Sequence, residues 1–288
     1  MVHSLCDVRH AYLYVLFCIV ILTRCRLVTK ILCWFPLLLT ICYIVFSNGI
    51  SRDFERTNFL HNFNAGEDLS KAAPAETMQA LKLALEKYDV VMFDARETSD
   101  NVVVVAKDDV KNRTAEKIDL PLLKDMMDIC RAKEAKMVIR VHDTSKEILK
   151  EIGSYVKQHD LHSRVVITSS NPVVPFMLKR KDSQFLSGLS YERFGMSEHF
   201  KKYHKGKLLY RYLGEFLDTV MFYAMHSFVL PEFIGADLLF VDKKDIDLRF
   251  IELAKKRKMK IIAVNADKKE DQQWLKKVAM IPYFTSSN

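Results

Sequence analysis

Between residues 57 and 277 the chain switches repeatedly between short β-rich runs and stretches with apolar residues three and four apart. That alternation limits the fold more than any other feature. The β-rich runs are TNFLHN (57–62), VVMFDA (90–95), VVVVAK (102–107), KMVIRVH (136–142), VVITS (165–169), FLSGL (185–189), DLLFV (237–241) and KIIAVN (260–265). Helical periodicity falls on 75–87, 121–134, 145–158, 172–181, 246–258 and 269–277. Strands that mostly hand over to helices predict an α/β fold with a closed parallel barrel rather than an open sheet. The exception is the turn TSDN, too short for a helix, which joins the second and third strands.

The first 50 residues are of a different kind. AYLYVLFCIVILT (11–23) and ILCWFPLLLTICYIVFS (31–47) are free of charge, and the second is long enough to cross a bilayer. A basic break, RCRLVTK, separates them, so a retained membrane helix or helical hairpin is expected over 1–50 in place of a cleaved signal. Arg24, Arg26 and Lys30 place that break on the cytoplasmic side. Two spans then put residues 51–288, the barrel, in a lumenal or extracellular compartment. The sequon at Asn112 is a glycosylation site that suits such a compartment. Cys6, Cys18, Cys25, Cys33 and Cys42 lie in or beside the apolar runs, which leaves Cys130 without a partner for an internal disulfide.

Residues 190–235 exceed what a plain barrel needs. They begin polar and basic (EHFKKYHKGK) and become apolar and aromatic, with Arg211, Glu215 and Asp218 as one polar stripe at helical spacing. Two readings stay open: a buried helical insertion, or a helix lying in a membrane interface with the lysines on anionic headgroups. The run KKRKMK (255–260) and the net charge of +8 bring nucleic acid to mind. No stacking aromatics or groove-reading element accompany them, and lysines closing a helix complement its dipole. No nucleic-acid partner is expected.

Catalytic side chains of a parallel barrel stand at the C-terminal ends of its strands. Those ends here supply His61, Met92, Asp94, Lys107, Arg140 and His142. Alternation along a strand sets Met92 with Asp94 on one face, and Arg140 with His142 on one face.

This arrangement resembles the glycerophosphodiester phosphodiesterase family, metal-dependent hydrolases on a TIM-like (β/α)8 barrel of the PLC-like phosphodiesterase type. The likeness is carried by PAET before a helix, FDARETSDNVVVVAKDD, VVITSSNP, FIGADLLFVDKKDI, KIIAVNADKKED and PYFTSSN. With the paired apolar runs it is nearest to the membrane-anchored animal branch. The resemblance implies a phosphoric diester hydrolase of phospholipid metabolism, yet the family's chemistry-bearing positions have changed. Its His-Arg-Gly reads HNF, keeping His61 but placing Asn62 at the phosphate-binding arginine. Its Pro-Glu-Asn-Thr reads PAET, with Ala75 at the glutamate and Glu76 adjacent. Its Glu-x-Asp metal pair reads MFD, so Asp94 alone survives there. Lys107 replaces the general-acid histidine, Arg140 and His142 replace an acidic ligand and a lysine, and Val264 stands at a tryptophan.

A divalent ion in an oxygen site needs several hard ligands, and loss of an acid–base histidine alone costs ~10²–10⁴ in rate. One carboxylate facing Arg140 reads better as an ion pair that has taken over the metal's charge. The expectation is a barrel that keeps its fold and has lost its reaction, a pseudoenzyme without a cofactor. It would bind a partner, or an anionic glycerophosphodiester or lysophospholipid headgroup through Lys107, Arg140 and His142, with membrane lipids as its surroundings. An active phosphodiesterase using Mg or Ca, and a purely structural membrane scaffold, are the alternatives. A relocated metal site would have to draw on Glu67, Asp68, Asp94 and Asp108.

Overall fold

The computed structural model describes residues 34, 37, 38, 40, 41, 59–71, 77–114, 120–191, 195, 197, 198, 200 and 208–285. The chain divides into two compact units, Met1–Gly49 and Ile50–Asn288. Of the first, Trp34, Leu37, Leu38, Thr40 and Ile41 are helical. The apolar run 11–23, the rest of 31–47, Ala75, Glu76 and most of 192–207 lie outside the described residues. Among the described residues no helix is long and apolar enough to cross a membrane.

The second unit is a closed barrel. Its strands are β1 (Ala65–Asp68), β2 (Val90–Glu97), β3 (Val103–Val105), β4 (Lys136–Val141), β5 (Val165–Ser169), β6 (Leu186–Tyr191), β7 (Leu238–Asp242), β8 (Lys260–Val264) and β9 (Tyr283–Thr285). Neighbours run β1-β9-β8-β7-β6-β5-β4-β2-β3, and a β1–β2 pairing closes the ring. Every barrel pairing is parallel; β3 alone runs antiparallel, as a flap on β2. The helices are α1 (Met78–Leu85), α2 (Leu123–Ala132), α3 (Lys146–Gln158), α4 (Val173–Lys181), α5 (Leu208–His226), α6 (Val229–Ile234), α7 (Leu248–Lys256) and α8 (Lys269–Trp274). Side chains on Thr77, Ser145 and Asp247 accept backbone N–H groups that would otherwise go unbonded at the starts of α1, α3 and α7.

Two corrections follow at the ends of the barrel. The first strand is AGED at 65–68, not TNFLHN at 57–62. Phe59 and Leu60 form a 3-10 turn, and the ring is closed by the three-residue β9, which sequence periodicity does not reveal. TNFLHN looks like a strand because its apolar side chains do a different task. Phe59 and Phe63 pack with Val90, Met92, Val138, Phe240 and Phe284 in the barrel's interior.

Alternation then fixes which residues look into the barrel. Val90, Val138, Val166, Leu186, Leu238 and Ile262 belong to the interior cluster. One pleat further on, β2, β4, β5 and β7 present Met92, Arg140, Thr168 and Phe240. Phe284 and Phe240 fill the space near the axis only because two inward positions lack a side chain. A Cβ on Gly66 would stand 2.6 Å from the Phe284 ring, and one on Gly188 2.5 Å from Phe240. Above this apolar floor, at the C-terminal strand ends, the interior turns polar.

Candidate functional site

At the mouth the strand register sets Asp94 beside Arg140 and Arg140 beside Thr168. Asp68 ends β1 next to Met92. Because Met92 carries no charge, the long Arg140 side chain crosses over it, with Nη2 3.2 Å from the Met92 sulfur. The guanidinium lands between two carboxylates. Nη2 donates to Asp68 Oδ2 at 2.8 Å, and Nη1 faces Asp94 Oδ1 at 3.0 Å. Asp68 Oδ1 also accepts from the Ser70 backbone N–H (3.1 Å) and hydroxyl (2.7 Å). His142 Nε2 closes the group at 2.9 Å from Asp94 Oδ2. Asp68 and Asp94 are both buried, so these partners take the place of water around them.

Above the group lies a cavity of about 540 Å³ lined by Asp68, Lys71, Arg140, Ser190, Tyr191, Phe240, Asp242, Lys244, Asp245, Val264 and Asn265. Its far wall is tied across three strand ends: Lys71 Nζ donates to Asn265, and Asn265 Nδ2 donates to Asp242 Oδ2 at 2.6 Å. Lys71 and Lys244 are exposed at the rim, and among the described residues neither ion-pairs with a carboxylate. A second cavity of about 390 Å³ adjoins it through Ser190 and Tyr191. His142, Ser170 and Asn171 line one side of it, Leu189, Met221 and Met225 the other.

The residues singled out in the sequence are not all at this mouth. Asp94, Arg140 and His142 are. His61 is not: it precedes β1, at the opposite end of the barrel, where its carbonyl accepts from Lys136 Nζ at the start of β4. Asn62 lies beside it with φ 60°. Lys107 is exposed, lines neither mouth cavity, and uses its carbonyl to accept from Arg96 Nη2 at 2.9 Å. Its strand is the antiparallel one at the sheet edge, so its end is not among those converging on the mouth. Lys107 therefore shares neither of these two cavities with Arg140 and His142. Asn112 is exposed in the turn after β3, open to modification.

Lys71, Asp242, Lys244 and Asn265 carry no local sequence signal, and Asp68 enters the sequence expectation only as part of a relocated metal site. That site is not assembled. Glu67 points out of the barrel where Asp68 points in, and Asp108 is exposed. Among the described residues no group of three or more His, Cys, Asp or Glu side chains is placed to hold a metal ion. Among the described residues, those at the mouth do not fit a divalent cation. The space between Asp68 and Asp94 is filled by a guanidinium, whose charge would repel one.

No protein-family model matches the chain, and no curated protein matches it by sequence. The fold has clear relatives among solved structures. Glycerophosphodiester phosphodiesterase from Agrobacterium tumefaciens superposes with a TM-score of 0.56 at 14% identity, covering 78% of this chain and 96% of that one. The enzyme of the same name from Thermotoga maritima gives 0.54 at 14%, with 78% and 95% covered. An Oleispira antarctica phosphodiesterase in complex with the product sn-glycerol-3-phosphate gives 0.57 at 12%, with 77% and 92% covered. Likeness at such identities shows a shared barrel, and what this chain does with it has to come from the mouth.

Proposed function

We propose that this chain is a glycerophosphodiester phosphodiesterase-type barrel in which the Arg140 guanidinium stands where such an enzyme would hold its divalent ion. The single observation behind the reading is the bridge from Arg140 to Asp68 and Asp94. An arginine tied to two buried carboxylates neither activates water nor leaves with product, so the mouth binds without turning over. Its ligand is a phosphate-bearing headgroup of the glycerol 3-phosphate type, met by the rim ammonium groups of Lys71 and Lys244. The apolar runs 11–23 and 31–47 hold the barrel to a membrane, on the lumenal or extracellular side that glycosylation at Asn112 requires.

The test is turnover. Full-length protein is incubated with glycerophosphocholine, glycerophosphoethanolamine and glycerophosphoinositol, with and without magnesium or calcium, and released alcohol is measured. The expected result is no release above buffer, with calorimetric binding of glycerol 3-phosphate that weakens in Lys71→Ala and Lys244→Ala. Metal-dependent release abolished by Asp94→Ala would overturn the reading.

A second reading is favoured by one contact. His142, oriented by Asp94 at 2.9 Å, borders the side cavity and is a proton donor or acceptor in its own right. On this reading the barrel retains a metal-independent hydrolase activity with His142 as its acid–base group. Release that is indifferent to chelator and lost in His142→Gln would select it.

A further inference from the structure

α5 turns two different faces to its surroundings. Gly214 packs so closely that a Cβ would sit 2.8 Å from Ser197 Cα, and Met225 is buried with Phe228 and Tyr191. Asp218 and Met221 line the side cavity of the mouth. The outer face carries Tyr212, Leu213, Phe216, Val220 and Tyr223, with 61%, 42%, 63%, 45% and 68% of their surface exposed. Tyr212, Phe216, Val220 and Tyr223 follow one another at steps of four, four and three, which is one stripe of a helix. Large apolar side chains exposed together along one helix mark a surface that something covers.

We propose that this stripe rests on the surface of an anionic lipid bilayer, α5 lying in the interface with its axis along the membrane. Two observations choose this occupant over a protein. Two of the stripe's side chains are tyrosines, whose apolar rings and polar tips suit the headgroup boundary. From His199 to Lys207 the sequence carries Lys201, Lys202, Lys205 and Lys207 and no acidic residue, a charge complementary to anionic headgroups, while Arg211 pairs with Glu215 at 3.1 Å. The helix has 19 residues and is not apolar enough to cross a membrane, which limits the proposed pose to one along the surface. The inner face of the same helix borders the mouth, which would bring lipid headgroups beside the cavity. The proposal stands apart from the reading of Arg140 and survives its failure.

The experiment uses the full chain, and its readout is local because the N-terminal runs can bind membrane by themselves. Hydroxyl-radical footprinting is compared for protein alone, with phosphatidylcholine vesicles, and with vesicles containing about one quarter phosphatidylserine. Met280, 81% exposed and next to β9 at the other end of the barrel, is the internal reference. The expected result is protection of Tyr212, Phe216 and Tyr223 of about tenfold on the anionic vesicles, weaker protection on neutral ones, and none at Met280. Phe216→Glu with Tyr223→Glu, both exposed positions, should abolish protection at Tyr212 and leave the circular dichroism spectrum unchanged. Oxidation of the stripe unchanged by lipid overturns the proposal, as does equal protection by neutral vesicles. Protection before lipid is added also overturns it: growth with protein concentration assigns the face to a second copy, and independence of concentration to another part of this chain.

Discussion

The guanidinium of Arg140 closes on the carboxylate of Asp94 at 3.0 Å, from the register position directly beside it on the next strand. Side chains so placed point the same way, and with Asp94 buried this pair is a fixed part of the barrel mouth rather than a surface contact. Breaking a buried ion pair from one side strands the other charge, at a cost of ~3–5 kcal/mol. Arg140→Met should therefore lower stability by about that amount in urea unfolding, since it takes the guanidinium away from both Asp68 and Asp94.

Replacing the same residue by an acid gives a sharper test. Arg140→Glu removes the positive charge and adds a third carboxylate to Asp68 and Asp94. Mutual repulsion should destabilise the apoprotein, and magnesium, calcium or manganese should then restore it. Saturation at about a hundred times Kd corresponds to ~2.7 kcal/mol of stabilisation. The parent protein should show no comparable rise in thermal denaturation. A rise in the parent would mean that a cation competes with Arg140.

The barrel floor makes a prediction independent of any charge. Gly188 leaves room for the Phe240 ring, and an alanine there would put its Cβ 2.5 Å from that ring and 3.0 Å from Thr168 Cβ. The added methyl has no empty volume to enter, so Gly188→Ala should cost ~1–3 kcal/mol. Gly153 is the control: a Cβ there meets only the Phe185 ring, at an ordinary 3.6 Å, and it lies within α3. Gly153→Ala should be neutral or stabilising by up to ~1 kcal/mol.

Much of the barrel is legible because its central strands are β-branched runs with sharp ends. VVITS at 165–169 forms the strand over those residues, and alternation alone puts Met92 with Asp94 on one face of β2, while the register sets Asp94 beside Arg140. The ends of the barrel are less legible, for a physical reason. AGED carries glycine and two acids, all disfavoured in strands, and is held as a strand by neighbours on both sides. Phe59, Leu60 and Phe63 supply the stronger apolar pattern just before it, which pulls the first strand, and with it His61, to the wrong end. One signal was present: a strand at 57–62 leaves a long stretch before Pro74, and a strand at 65–68 shortens it. Once β1 is placed there, Asp68 at its tip enters the mouth. Lys71, Asp242 and Asn265 come together from strand ends far apart in sequence, and no local pattern links them.

A second buried pair lies outside the mouth. Lys179 in α4 meets Asp237, just before β7, at 2.7 Å, and both are almost fully enclosed. Burial pushes the Asp237 carboxyl up, and the Lys179 ammonium and Ser187 pull it back. Asp237 Oδ2 also accepts from the Ser187 backbone N–H at 2.9 Å. Lys179→Met should cost ~3–5 kcal/mol. Adding Asp237→Asn, which keeps an acceptor for Ser187 without the charge, should recover most of the loss. A double-mutant cycle in urea reads the difference; a strictly additive result would mean that the pair is not coupled.

Cys130 links burial to pH. Its thiol is fully enclosed on the buried face of α2, and burial pushes its pKa up to about 12, with Arg164 opposing only in part. In the unfolded chain it ionises near the ordinary thiol value of ~8.5. Because the folded value is the higher one, its contribution is intact below the unfolded pKa and is lost as pH rises towards the folded one. Between those limits the unfolded state gains ~1.4 kcal/mol per pH unit from this group. Unfolding free energies at mildly and strongly alkaline pH should therefore fall more steeply in the parent than in Cys130→Ala, by about that slope. Iodoacetamide should label the peptide containing Cys130 only as fast as the barrel opens. Rapid labelling under native conditions, or identical pH slopes in the two proteins, would show that the thiol is not enclosed in solution.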